Sequence, residues 1–216
     1  MSHEIRTPFN AIVGFSTLLT ETDNKEERKE YLQIVEKNNE LLLQLISDIL
    51  DLSKIESGII EMIEEDVDMN QLCSDIINAL KVKTKPGIKL LFTPGAQHLC
   101  IRSDKKRITQ VITNFINNAI KFTNKGKITL GYEIMEKKFQ CYVSDTGSGI
   151  TEKQQKQIFE RFVKLNSFIP GTGLGLSICQ SIVKQFDGDI GVKSEVGKGS
   201  CFWFTHPLTD YDKVIL

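Results

Sequence analysis

The sequence predicts an α+β protein in two parts: a two-helix hairpin over residues 1–60, followed by an α/β two-layer sandwich over 61–216. Three observations carry this. Heptad spacing of apolar residues is confined to the first part. Short β-rich runs mixed with amphipathic helices fill the second. The glycines gather in two clusters, one directly after a strand and one directly before a helix.

In the first part, Tyr31, Val35, Leu42, Leu45, Ile49 and Leu52 form a seam with Asn38 in its one polar slot, spaced 4-3-4-3-4-3. Leu41, Ile46 and Leu50 widen the stripe beyond a two-stranded seam, as a four-helix bundle requires. Ile5, Phe9, Ile12, Ser16 and Leu19 repeat the spacing upstream, and the polar run Glu21–Arg28 is the expected turn. One hairpin cannot bury that much apolar surface alone. The chain is therefore expected to dimerise into a four-helix bundle, the alternative being a hairpin packed on the rest of the chain. Pro8, which clashes with the carbonyl of Glu4, either bends the first helix beside His3 or marks its start.

After Gly58 a helix is expected near Asn70–Lys83, with strands at Ile88–Thr93 and Leu99–Arg102. Asp104 is a natural N-cap for a helix reaching Lys121. Strands follow at Lys127–Met135 and Phe139–Ser144, then helices at Glu152–Phe162 and Leu174–Phe186. Strands at Asp189–Ser194 and Cys201–His206 close the chain.

Composition excludes several classes. The 27 basic and 28 acidic residues leave a net charge of −1, so no global field favours nucleic acid or an anionic membrane. Five scattered cysteines without a C-x-x-C pair argue against a zinc site or a secreted disulfide framework and for a reducing compartment. No apolar run reaches the ~18 residues of a membrane span, and Glu4 and Arg6 interrupt any signal peptide. The cysteines, His98, His206 and Trp203 read as structural.

The glycine clusters are Asp145-Thr-Gly-Ser-Gly-Ile150 and Gly171-Thr-Gly-Leu-Gly-Leu176. Glycine lets backbone amides approach an anion, and a helix N-terminus offers unpaired N–H groups, so the second cluster suits a phosphate. A P-loop is absent, because Gly126-Lys127 and Gly197-Lys198 lack the following Ser or Thr. On the helix from Asp104, Ile108, Ile112, Phe115, Ala119 and Phe122 form the apolar face. Asn114, Asn118 and Lys121 line up on another, where two carboxamides and an ammonium could hold a hard metal ion and a phosphate chain. Taken singly, each of these motifs is also what a turn or a solvated helix face looks like.

Together they resemble the sensor histidine kinases. Asn114–Thr123 is similar to that family's N box, and Asp145–Gly149 to its first glycine box. Ile158–Phe162 is similar to the F box, Gly171–Leu176 to the second glycine box, and Ser2–Ile12 to the H box, with Phe9 where Leu is commoner. The resemblance implies an ATP-binding domain of the GHKL (Bergerat) type and autophosphorylation of His3 from Mg²⁺-ATP. Glu4 would orient His3 or accept its proton, and Thr7 would position a water for dephosphorylation of the partner. Asn118 would bind Mg²⁺ with Asn114 in support, and Lys121 would reach the phosphates. Asp145 would accept from the adenine amine, which favours ATP over GTP. Gly147 and Gly149 would let the chain pass the base. Gly171, Thr172, Gly173, Leu174, Gly175 and Leu176 would shape the phosphate cradle. Val163–Pro170 would be the lid, with Arg161 and Lys164 as candidate γ-phosphate cations.

The implied partners are a second copy of the chain and the receiver domain of a response regulator, which takes the phosphoryl group on an aspartate. The fragment is expected to be cytoplasmic, without membrane contact of its own, in a parent anchored in the inner membrane. The implied hinge lies near Ser57–Met62. Rival readings are a clamp ATPase with the same nucleotide fold, or a degenerate kinase that only scaffolds.

Overall fold

The computed structural model describes residues 2–57, 62–165 and 171–215, the side chains of Ser2, His3, Ile55 and Glu56 excepted. Helix α1 (Ser2–Glu21) and helix α2 (Lys25–Glu56) pack side by side as a hairpin. Their turn is tighter than the polar run Glu21–Arg28 suggests. Asn24 Oδ1 accepts from the backbone N–H of Glu26 at 2.9 Å, which caps α2 and lets the charged residues after it join the helix. Polarity there marks exposure, not a loop. Helix α1 passes through Pro8, so the helix does not start at that residue. The Phe15 and Tyr31 rings, 5.6 Å apart, tie the two helices together.

The apolar stripe divides. Leu45 and Leu52 are buried and belong to the same continuous core as the second part, because α2 packs against α6 (Gly175–Gln185). Leu43, Ile46 and Leu50 remain exposed, as do Phe9 and Val13 on α1. One stripe of the hairpin is thus covered by the rest of the chain, as the packed-hairpin alternative expects, and a second is left open.

The second part is a sandwich. A mixed five-stranded sheet runs in the order β2 (Ile88–Thr93), β4 (Gly126–Ile134), β5 (Lys138–Asp145), β7 (Gly199–Pro207), β6 (Ile190–Glu195). Only the β2–β4 pair is parallel. Helices α3 (Met69–Leu80), α4 (Lys105–Phe122) and α6 supply the other layer, with buried apolar faces. Phe115 of α4 packs its ring 5.6 Å from Phe202 and 6.4 Å from Phe204 of β7, fixing α4 across the sheet. Asp104 caps α4 as its sequence position predicts: Oδ1 accepts from Arg107 N at 3.0 Å, and Oδ2 from Ile63 N at 3.2 Å.

A second, antiparallel sheet of β1 (Glu65–Asp68), β3 (His98–Ser103) and β8 (Lys213–Ile215) flanks α3. Its two outer strands are additions to the predicted set. The predicted helix Glu152–Phe162 is instead α5 (Glu152–Gln155) followed by turns. Phe162 has φ 63°, and its N–H donates to Gly173 O at 2.8 Å. That bond holds Phe162 out of helical geometry. His206 is buried as expected, bonded to Ser103 Oγ at 2.9 Å and stacked on Phe139. Of the cysteines, Cys73, Cys141 and Cys179 are buried, but Cys100 and Cys201 are only partly so.

Candidate functional site

Helical spacing puts Asn114, Asn118 and Lys121 in a row on the edge of α4, half out of the core that Phe115 and Ala119 occupy. Asn118 Nδ2 donates to Asn114 Oδ1 at 3.1 Å. The start of α6 comes against this row. A methyl carbon on Gly175 would lie 3.0 Å from Asn114 Cγ and Oδ1, and one on Gly171 would lie 3.6 Å from Lys121 Nζ. The two motifs therefore face each other directly. Gly173, between them, has φ +72° and lies so close to Phe162 that a Cβ would sit 2.8 Å from its Cα. The second glycine cluster is thus held by α4 on one side and by the turn ending at Phe162 on the other.

The side chains of Leu174 and Leu176 belong to the core, Leu174 being fully buried, so only their backbones could meet a ligand. The Leu174 amide is engaged by Thr172 Oγ1 at 3.3 Å.

Asp145 ends β5. The inward alternation Phe139, Cys141, Val143 carries it to the helix side of the sheet, where it is buried. Desolvation raises its carboxyl above the ordinary range, against a smaller downward pull from the Gly147 and Ser200 amides. Gly147 N donates to Asp145 Oδ1 at 2.7 Å, and Ser148 N donates to Phe122 O at 3.3 Å, which seats the first glycine cluster on the end of α4. A shallow cavity of about 360 Å³ also borders Asp145, but it is lined by Ser144, Lys193, Glu195, Lys198 and Cys201, away from the Asn114 row.

In the hairpin, α1 places Glu4 and Thr7 one turn apart. The His3 side chain, and residues 166–170 of the expected lid, lie outside the described residues. Lys164, a candidate phosphate cation, instead contacts Glu4 Oε2 across the two parts.

Further residues join the parts that the sequence alone does not single out. Asp48 Oδ2 accepts from Thr172 Oγ1 at 2.6 Å, and Asp48 Oδ1 from Gln44 Nε2 at 2.7 Å. Asp51 accepts from Gln110 Nε2 at 3.0 Å and lies 3.6 Å from the Arg107 guanidinium. Burial raises the Asp48 carboxyl, while the Lys121 ammonium is lowered by desolvation despite the attraction of Asp48. The available signal was positional: Asp48 sits between Leu45 and Ile49, a charge inside an apolar stripe.

Comparison with known proteins finds two family matches along the chain. Residues 1–58 match the family described as the His Kinase A (phospho-acceptor) domain. Residues 103–210 match the histidine kinase-, DNA gyrase B- and HSP90-like ATPase family. The hybrid signal transduction histidine kinase B of Dictyostelium discoideum is 36% identical over 96% of this chain and 11% of its own length. The sensor protein GacS of Pseudomonas syringae pv. syringae is 34% identical over 96% of this chain and 24% of its own. The chain thus spans between about a tenth and a quarter of the length of these relatives. Among solved structures, full-length ShkA in complex with AMPPNP is 31% identical with a TM-score of 0.77, over 96% of this chain and 44% of that one. Histidine kinase ThkA in complex with the response regulator protein TrrA is 29% identical with a TM-score of 0.79, over 96% of this chain and 60% of that one. With a phosphoacceptor hairpin and a GHKL-type ATPase domain on one polypeptide, the chain belongs to the sensor histidine kinases.

Proposed function

We propose that this chain autophosphorylates His3 from Mg²⁺-ATP and passes the phosphoryl group to an aspartate of a response-regulator receiver domain. The observation that carries the reading is the convergence of Asn114, Asn118 and Lys121 of α4 on the Gly171–Gly175 cradle. The phosphates rest on that cradle beside Lys121, and the base meets Asp145. Asn118 would hold Mg²⁺ through its carboxamide oxygen, a hard ligand left available because Nδ2 is spent on Asn114. Such an ion would neutralise charge on the triphosphate.

The neutral His3 imidazole forms a nitrogen–phosphorus bond as the bond from γ-phosphorus to the bridging oxygen breaks, and ADP leaves with that electron pair. Glu4 takes the imidazole proton or holds the ring in the attacking orientation, and for the former it must leave Lys164. A receiver aspartate then attacks the phosphorus and His3 is released. Thr7 serves the reverse task, positioning a water for dephosphorylation of the regulator. The solved complex of ThkA with a response regulator supports such a partner.

The domains divide at residues 60 and 61, and the hinge falls near Ser57–Met62, of which 58–61 lie outside the described residues. The open stripe of Phe9, Val13, Leu43, Ile46 and Leu50 is covered by a second copy, completing a four-helix bundle. No helix among the described residues is long and apolar enough to cross a membrane. We read the chain as the cytoplasmic piece of a longer protein anchored in the inner membrane.

The test is incubation with Mg²⁺ and γ-labelled ATP, beside a His3→Gln variant. An acid-labile, base-stable label lost in the variant is the expected result. Nucleotide binding without any label, in a protein shown to be dimeric, would refute histidine autophosphorylation.

A further inference from the structure

We propose that Asp48 is a nucleotide-sensitive latch: its carboxylate occupies the phosphate cradle at Thr172 and must be displaced by the triphosphate before the ATPase domain is free to move. The proposal rests on the nucleotide-site reading above.

The geometry places an anion where an anionic ligand is expected. Asp48 Oδ2 accepts from Thr172 Oγ1 at 2.6 Å, inside the second glycine cluster, and the Lys121 ammonium attracts the same carboxylate. Lys121 Nζ also lies against Gly171. A triphosphate needs this hydroxyl and this ammonium, and it cannot sit beside an ionised Asp48 without like-charge repulsion. Carboxylate and phosphate thus compete for one set of donors.

The surrounding contacts repeat the polarity. Asp51 faces Arg107 and Gln110, and Glu4 faces Lys164, so three hairpin carboxylates meet donors of the second part. Residues 1–57 hold six basic and eleven acidic residues, and 58–216 hold 21 and 17. The near-neutral whole is an acidic hairpin docked on a basic domain.

Burial pushes Asp48 up and Lys121 down, both towards their neutral forms, so desolvation outweighs their mutual attraction. A triphosphate brings more negative charge to the same donors, and the freed carboxylate returns to water.

The test is calorimetric titration of AMP-PNP with Mg²⁺, and separately of ADP, into wild type, Asp48→Ala and Asp48→Asn, with small-angle scattering of each before and after nucleotide. Asp48→Ala is expected to bind AMP-PNP about tenfold more tightly, the change that follows if about a tenth of the wild type is unlatched at any time. ADP, which lacks the γ-phosphate, should gain less. Asp48→Asn, which keeps an acceptor for Thr172 but loses the charge, should fall between and guards against an unfolded Ala variant. Wild type should expand on AMP-PNP, and the Ala variant should be expanded already. A purely structural Asp48 would lower Tm without tightening AMP-PNP. If wild type binds AMP-PNP and neither variant binds it more tightly, the latch is refuted and the nucleotide site stands. If no protein binds nucleotide, both fall together.

Discussion

The approach of Gly175 to Asn114 makes a sharp prediction, because it separates stability from ligand binding. In Gly175→Ala the new methyl lies 3.0 Å from Asn114 Cγ and Oδ1, and closer still to Nδ2. These atoms are the end of a side chain, so Asn114 can rotate away without moving the backbone. Rotation breaks the 3.1 Å bond from Asn118 Nδ2, a loss of about 1 kcal/mol. Against it stands the loss of unfolded-state entropy on replacing glycine, about 0.4–1 kcal/mol, since Gly175 has no left-handed φ to forfeit. The two nearly cancel, and Tm should move by no more than about 4 °C. Nucleotide binding has no such offset. Freeing Asn118 from its brace weakens a contact to a charged ligand, by about 1.5–3 kcal/mol, so the Kd for Mg²⁺-ATP should rise by roughly 10- to 100-fold. The assay is calorimetric titration beside a thermal melt, with Asn114→Ala and the double variant. Once Asn114 is truncated the methyl has nothing to displace, so the double variant should bind like Asn114→Ala alone. An unchanged Kd in Gly175→Ala, or fully additive losses in the cycle, would show that this contact does not position Asn118.

Three further outcomes are expected. Gly173→Ala meets the Phe162 backbone and needs φ +72°, and neither can yield, so it should cost about 1–3 kcal/mol of stability by urea unfolding where Gly175→Ala costs almost nothing. Burial raises Asp145, so the native state holds its proton more tightly than the unfolded state; that contribution is full below the ordinary value of 3.8 and is lost as pH rises through the raised native one. Unfolding of wild type and Asp145→Asn from pH 3.5 to 7 should therefore show the variant gaining relative stability across that window, and a constant difference would contradict the raised carboxyl. Leu43→Glu, at a side chain 60% exposed, should turn a dimer into monomers by light scattering while leaving nucleotide affinity unchanged.

What the sequence discloses follows from how local each determinant is. Helix α4 was legible almost to the residue, because its cap, its apolar period and its polar row lie within one stretch of chain. Strand β5 was legible for the same reason, its alternation delivering Asp145 to the helix side. Strands β1 and β8 were not. Strand β1 has one apolar residue, Val67, and the three-residue β8 only Val214 and Ile215, and they exist because Val67 pairs with Ile101 and Val214 with Leu99. The false helix after Gln155 has the same origin: Phe162 is held by Gly173, a bond that no periodicity announces. Within the site, motif order brings the boxes to mind separately, but only the fold reveals that Gly175 touches Asn114.

The contacts between hairpin and ATPase domain mark where such reading ends, yet they leave a trace. A carboxylate inside an apolar stripe is costly to bury unless something donates to it, so Asp48 between Leu45 and Ile49 demands a partner before any partner is known. Among the described residues of the hairpin only Gln44 donates to it, which leaves a second oxygen to be met from elsewhere. Thr172 meets it from 124 residues away, in the glycine cluster proposed above to hold the phosphates. An interface chosen for stability alone would better place an apolar pair at this point. A charge retained there fits a contact whose value lies in being broken, and the triphosphate is the ligand whose chemistry can break it.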